Sequence, residues 1–137
     1  ETDGPESVRS ALDELRAERI GHGVRAVEDS ALMERLVREA VPLEVCPTSN
    51  VLLGVYSSHE AHPVRRLFDA GALVTIGSDD PGVFGSTLTD EYLRLVETHG
   101  FKPAEIRRIV ENAIAAAFVS DDERSALRRR LDSFRDF

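Results

Sequence analysis

Two adjacent carboxylates, Asp79 and Asp80, follow a short apolar run at residues 73–76 and stand directly before Pro81. The apolar run predicts a buried strand, and the proline cannot extend a central strand. In an α/β barrel, catalytic residues lie where strands pass into loops, and an aspartate there can bind a metal or accept a proton. An isolated Asp-Asp-Pro is more often a helix cap than a metal site, so the interpretation needs support from elsewhere in the chain.

Two further turns carry side chains capable of chemistry. His22 lies between two glycines after Ile20, and the loop from Cys46 to Asn50 lies at the end of a second predicted strand, residues 41–46. On a parallel sheet the carboxyl ends of the strands share one edge, so these turns and the two aspartates are expected to converge. A Gly-His-Gly by itself is more often a simple turn. The prediction of a common site therefore depends on the three turns together.

The surrounding pattern alternates strand and helix three times, at a spacing of roughly 25 to 30 residues that is typical of a parallel sheet. From Leu88 onward the pattern is entirely helical. The predicted helices cover residues 5–17, a segment after the capping residue Asp29, then 64–70, 88–97, 103–118 and 121–134. A complete (β/α)₈ barrel takes roughly 250 residues. We therefore predict one partial α/β domain, the C-terminal half of a TIM barrel at residues 1–87 followed by extra helices at 88–137.

Composition excludes several classes of protein. The 137 residues carry a formal net charge of −8, which argues against a nucleic-acid partner, and no segment is apolar enough to span a membrane. The single cysteine, Cys46, excludes an internal disulfide and is compatible with a cytoplasmic protein. Its apolar surroundings favour a buried structural thiol over a nucleophile. The chain begins at Glu1 rather than methionine, so further residues upstream are expected.

Taken together, Ile-Gly-His-Gly at 20–23, Cys-Pro-Thr-Ser-Asn at 46–50 and Ser-Asp-Asp-Pro at 78–81 closely resemble the adenosine and adenine deaminase family of metal-dependent amidohydrolases. The resemblance covers nearly the whole chain, including Glu91 and Tyr92 in the predicted helix after the two aspartates. Members of that family are (β/α)₈ barrels with one zinc ion, which hydrolyse the 6-amino group of a purine and release ammonia. The resemblance thus implies zinc as the cofactor and a small-molecule purine as the substrate.

The resemblance also implies a role for each matching residue. Asp79 would be a zinc ligand, Asp80 would hydrogen-bond the purine at N7, and His22 would be the catalytic histidine that acts on the zinc-bound water. Glu1 fits the last residue of the family's His-Ala-Gly-Glu motif and would protonate N1 of the purine. Thr48 and the segment 51–58 are expected to border the substrate.

The family's His-x-His pair and the histidine of His-Ala-Gly-Glu do not occur in this chain. His59 and His62 lie in a polar loop before a helix, and His99 follows a helix end. All three are interpreted as surface residues, so the chain alone is not expected to hold zinc catalytically. The leading hypothesis is an adenosine deaminase formed by the intact parent protein. The alternatives are a deaminase of adenine or of a modified purine, or a noncatalytic half-barrel fragment. Exposed apolar surface on an isolated half-barrel predicts self-association.

Overall fold

A computed structural model describes residues 2–134 and shows a parallel sheet flanked by helices. Within those residues the sheet has three strands in the order β1-β2-β3: β1 is Ile20–Gly21, β2 is Pro42–Val45 and β3 is Leu73–Ile76. Ile20 pairs with Leu43, and Leu43 pairs with Val74. Leu43 and Val74 are fully buried, as expected for strands covered by helices on both faces.

The helices surround this sheet and continue beyond it. Their bounds are α1 Pro5–Asp13, a 3₁₀ helix Val24–Glu28, α2 Ser30–Arg38, α3 Pro47–Leu52, α4 Val64–Asp69, α5 Pro81–Phe84, α6 Leu88–Glu97, α7 Pro103–Ala116 and α8 Asp121–Asp132. Asp29 caps α2, as predicted, by accepting a hydrogen bond from the Leu32 amide at 3.0 Å. Asn112 of α7 donates to the Val74 carbonyl at 3.0 Å and so ties this helix to β3.

Two of the sequence-based boundaries were wrong. Helix α1 ends at Asp13 rather than at residue 17, because Arg16 adopts a left-handed conformation (φ 52°) and the Ala17 amide bonds back to the Ala11 carbonyl. Residues 47–50 form the start of α3 rather than a loop. Pro47 suits this start, since a proline at the first helical position lacks only an N–H that would have no helical partner.

Strand β1 stops after two residues because the backbone turns sharply at His22 and Gly23. Both have positive φ values, 60° and 65° respectively. The His22 amide still donates to the Glu44 carbonyl of β2 at 2.9 Å, so the turn begins while the chain is attached to the sheet. This turn places the His22 side chain at the carboxyl edge of the sheet.

We expect Gly23→Ala to lower the free energy of unfolding by about 2–4 kcal/mol, because a left-handed backbone and a crowded Cβ act together. A Cβ on Gly23 would lie 2.9 Å from Cδ2 of Leu43 and 3.1 Å from Cγ2 of Ile20. Gly21→Ala is the matched control on the other side of His22. A Cβ on Gly21 meets no described atom within 4 Å, so its effect should stay within about 0.5 kcal/mol. Urea unfolding measures both; equal losses would contradict the steric argument.

Candidate functional site

The turns after the three strands meet at one edge of the sheet. Ligand atoms of His22, Cys46 and Asp79 all lie within 4.8 Å of one another, and His22 Nε2 is 3.8 Å from Asp79 Oδ2. A parallel sheet predicts this convergence, although His22 and Asp79 are 57 positions apart in the sequence. An imidazole, a thiol and a carboxylate in such proximity have the donor types that zinc takes in proteins.

Asp79 is held by its backbone and by a neighbouring hydroxyl. Its φ of 57° is left-handed, which is uncommon outside glycine but more accessible to aspartate, asparagine and histidine. Ser49 of α3 donates a hydrogen bond to Oδ2 at 2.6 Å. The carboxylate keeps about a third of its side-chain surface exposed. Asp79 is thus fixed in direction and still accessible to a ligand.

His22 also has a left-handed backbone, and its ring contacts two parts of the chain. Nε2 faces Asp79, while Nδ1 lies 3.1 Å from Nδ2 of Asn50 on α3. The side chain is one-fifth exposed. Strained backbone at both His22 and Asp79 is a feature that functional sites share, although the structure also has left-handed residues at helix ends.

Behind His22 lies a buried polar chain of contacts that the sequence did not reveal. Asn50 is fully buried, and its Oδ1 lies 3.0 Å from Nε2 of His62. His62 is 3% exposed, and its Nδ1 accepts the Val64 amide at 3.2 Å. Assigning His62 to the surface was therefore wrong, and His59 and His99 are half-buried rather than exposed. The polar stretch before His62 concealed its burial, which depends on α3 and on the ring of Tyr56, 5.2 Å away between centroids.

Burial lowers the pKa of His62 to about 3, and the nearby His99, His59 and His22 lower it further in the same sense. His62 therefore stays neutral in the folded protein at neutral pH, while in the unfolded chain it would protonate at about pH 6.5. Burial also lowers the pKa values of His59 and His99.

We expect this depressed pKa to make the fold acid-sensitive. Below about pH 6.5 the unfolded state binds a proton that folded His62 does not, so stability present above that pH is lost as the pH falls. Between pH 7.5 and 5.5 His62 alone should cost about 1.4 kcal/mol of unfolding free energy. Urea unfolding at both pH values measures the loss. His62→Gln is the control, and a loss of the same size in that variant would refute the assignment to His62.

Asp80 has a structural role in this chain. Its Oδ1 accepts hydrogen bonds from the amides of Gly82 at 2.9 Å and Val83 at 3.1 Å, so it caps the short helix α5. The side chain is exposed beside Asp79. The capping function that the Asp-Asp-Pro pattern favours is therefore present, and a role in binding substrate would be additional to it.

Cys46 lies at the end of β2 and is buried. Its sulfur is near the carbonyl of Glu44, at 3.7 Å, and a Cβ on Gly77 would come within 3.3 Å of it. Close packing of this kind agrees with the interpretation as a structural thiol, since reactive cysteines are partly exposed. Its closeness to Asp79 agrees with the predicted convergence of the loop at residues 46–50 with the turn that carries Asp79. Glu1 lies outside the described residues.

Glu91 on α6 lies within the segment that the family resemblance covers, but its burial and its contacts were not predicted from the sequence. It is fully buried, accepts the Thr48 amide at 3.2 Å and accepts the Ser86 hydroxyl at 2.5 Å. Thr48 is in the first turn of α3, next to Ser49 and Asn50, which contact Asp79 and His22. A signal for its burial is its position on the buried face of α6, four residues before the buried Leu95.

Comparison with known proteins identifies the family. The sequence profile of the adenosine deaminase family matches residues 1–134. The chain belongs to this family. An adenine deaminase of Agrobacterium fabrum is 49% identical to this chain over 128 residues. The match covers 93% of this chain and 39% of that protein. The chain thus spans about two-fifths of the length of the curated relatives that it matches.

Solved structures show the same relationship in three dimensions. The crystal structure of an adenine deaminase from Arthrobacter aurescens superimposes with a TM-score of 0.92 at 36% identity, covering 96% of this chain and 40% of that one. An amidohydrolase from Burkholderia ambifaria, described with bound Zn, gives a TM-score of 0.85 at 25% identity, covering 95% of this chain and 36% of that one. The predicted fold class, half of a TIM barrel with additional helices, is confirmed.

The described residues fit zinc by donor type but supply only part of a catalytic site. Asp79 offers an accessible carboxylate, whereas a catalytic zinc takes three protein ligands in addition to an open position. His22 faces Asp79 from 3.8 Å, at a distance at which both could lie around one bound group.

Among residues 2–134, no helix has both the length and the apolar character needed to cross a membrane.

Proposed function

We propose that the intact protein containing this chain hydrolyses the 6-amino group of a purine, with adenine and adenosine as the first substrates to consider. The observation that carries the proposal is the His22–Asp79 pair at the carboxyl edge of the sheet, in a chain 49% identical to an adenine deaminase. The oxygen of water adds to C6 and one proton of that water ends on N1; the other proton passes to the amino nitrogen, its bond to C6 breaks, and ammonia leaves a C6 carbonyl. Adenine would yield hypoxanthine, and adenosine would yield inosine.

Asp79 would hold the zinc ion together with ligands from outside this chain. When bound, zinc makes water a nucleophile near neutral pH by lowering its pKa to about 7. Ser49 would keep the Asp79 carboxylate in one orientation through its hydrogen bond to Oδ2. His22, one-fifth exposed and facing Asp79, would orient the attacking oxygen. These assignments support one site built from two strand-end turns and the first turn of α3.

Asp80 and Glu1 would act on the purine itself. Asp80 would bind N7 of the purine beside Asp79 while continuing to cap α5. Glu1 would protonate N1, which requires a carboxyl group whose pKa is raised by a dry pocket. Thr48 is buried next to Ser49 and would lie close to the substrate rather than at the surface.

A substrate panel tests the proposal on the intact protein. Adenine, adenosine, adenosine monophosphate and an N6-methylated purine are each incubated with the protein while near-ultraviolet absorbance and released ammonia are followed. We expect equimolar ammonia with at least one 6-aminopurine and loss of turnover after removal of metal by a chelator, restored by zinc. Absence of turnover on every member in zinc-loaded, folded protein would favour the noncatalytic alternative.

Self-association of the isolated chain and a cytoplasmic location remain parts of the proposal. Large apolar side chains are exposed at several places on the described surface, namely Leu15, Leu52, Leu53, Val83, Leu93, Val96 and Phe118. Burying such surface against another copy would stabilise the isolated chain. Light scattering checks this expectation, and a monodisperse monomer would contradict it.

A further inference from the structure

We propose that Asn50 and His62 are positioning residues that hold the proton of His22 on Nε2, the ring nitrogen that faces Asp79, so that His22 enters the reaction as a hydrogen-bond donor. The geometry behind this inference is independent of the activity, while its catalytic consequence depends on the proposed function. Four groups in series carry it: the Val64 amide, His62, Asn50 and His22.

The direction of the hydrogen bonds along this series is fixed at its buried end by the backbone amide of Val64. The Val64 amide donates to Nδ1 of His62 at 3.2 Å, and a backbone N–H can only donate. Nδ1 of His62 must therefore present its lone pair. A neutral imidazole carries one proton, so the proton of His62 is on Nε2. Burial and the facing His99, His59 and His22 keep His62 neutral, since they hold its pKa at about 3.

The proton on His62 then orients the amide of Asn50. His62 Nε2 lies 3.0 Å from the Asn50 side chain, and an N–H at that distance needs an acceptor, which is Oδ1. The other end of the amide, the NH₂ group, consequently points to His22. Asn50 is 0% exposed and His62 is 3% exposed, so solvent does not offer either group another partner. A flipped amide would place the NH₂ group of Asn50 against the Nε2–H of His62, so that two donors would face each other in place of this hydrogen bond.

The amide of Asn50 in turn determines the state of His22. Its Nδ2 donates toward Nδ1 of His22 across 3.1 Å, so Nδ1 has to accept and the proton of His22 is on Nε2. Nε2 is the nitrogen 3.8 Å from Asp79 Oδ2. With a proton on Nε2, His22 can donate to an oxygen near Asp79 and cannot use that nitrogen as a metal ligand or as the initial base.

Nuclear magnetic resonance of the imidazole nitrogens tests the inference without substrate. The intact protein is labelled with ¹⁵N-histidine and studied at neutral pH, and His22→Gln and His62→Gln each identify one set of signals by its loss. We expect both histidines to show a protonated Nε2 and an unprotonated Nδ1. A proton on Nδ1 of His22, whether alone or together with one on Nε2, overturns the proposal.

Asn50→Asp provides a second, isosteric test. The carboxylate replaces the donor facing His22 Nδ1 with an acceptor, so the proton of His22 should move to Nδ1 and kcat should fall by about 10²-fold. KM should change much less, because the substrate contacts remain. Asn112→Asp makes the same chemical change on α7, where the amide contacts Val74, and should leave the His22 signals unaltered. Unaltered His22 signals in folded Asn50→Asp protein would refute the positioning role.

The two experiments separate this inference from the proposed function. Protonation as expected in a protein without deaminase turnover would refute the function and support the positioning role. Deaminase turnover in a protein whose His22 carries its proton on Nδ1 would support the function and overturn the positioning role. If Asn50→Asp does not fold, the wild-type spectrum alone decides.

Discussion

Replacing Asp79 with alanine in the intact protein should remove the bound metal and lower kcat/KM by on the order of 10³-fold or more. A catalytic metal supplies several kcal/mol of transition-state stabilisation, and each 1.36 kcal/mol corresponds to about a factor of ten in rate. Asp79 is the accessible carboxylate at the point where the strand-end turns converge. Metal content by elemental analysis and purine turnover by absorbance measure the two effects together.

Two companion variants make the Asp79 result specific. Asp79→Asn has the same shape, and its amide oxygen can still accept the Ser49 hydroxyl, so it should remain folded while losing metal and activity. Asp132→Asn changes an exposed carboxylate at the end of α8 and should leave both unaltered. Retention of stoichiometric metal and normal turnover in Asp79→Ala would exclude Asp79 as a metal ligand.

The second large effect is expected at Glu91. Glu91→Ala leaves the buried Thr48 amide and the Ser86 hydroxyl without their acceptor and opens a cavity beneath α3. Each unsatisfied buried group costs about 1–3 kcal/mol, so we expect a loss of roughly 3–5 kcal/mol in unfolding free energy. Since Thr48 precedes Ser49 and Asn50, turnover should fall as well, even in protein that remains folded.

Glu91→Gln is the matched control for this prediction. The glutamine oxygen can accept the Thr48 amide, and its NH₂ group can donate to the Ser86 oxygen after the hydroxyl rotates. Its loss should stay near 1 kcal/mol. Urea unfolding distinguishes the variants. Equal destabilisation by alanine and glutamine would show that the charge of Glu91, rather than its two hydrogen bonds, is what stabilises the fold.

The sequence predicted the sheet because its signals are local. The apolar runs before Pro47 and Pro81 have the length of strands, and proline marks the end of each. Alternation with helices then implies parallel strands, and parallel strands place their carboxyl ends at one edge. The sequence alone therefore places His22 and Asp79 at one site, and in the structure His22 Nε2 lies 3.8 Å from Asp79 Oδ2.

Short elements and helix ends were less predictable from sequence. Helix α5 and the 3₁₀ helix each contain five residues or fewer, too few for a helical period to be recognised. The early end of α1 depends on a left-handed Arg16, a conformation that its residue type does not favour. Competing local conformations differ little in energy at such positions, and packing selects among them.

What the sequence by itself determined is the half-barrel pattern, the family to which the motifs belong, and which turns meet. Only the tertiary structure decided how the site is supported. His62 was expected at the surface, and the burial of Glu91 was not predicted, but each is buried with specific partners contributed by other elements. Whether a polar side chain is buried depends on what packs over it, and that information lies in residues distant along the chain rather than in its neighbours.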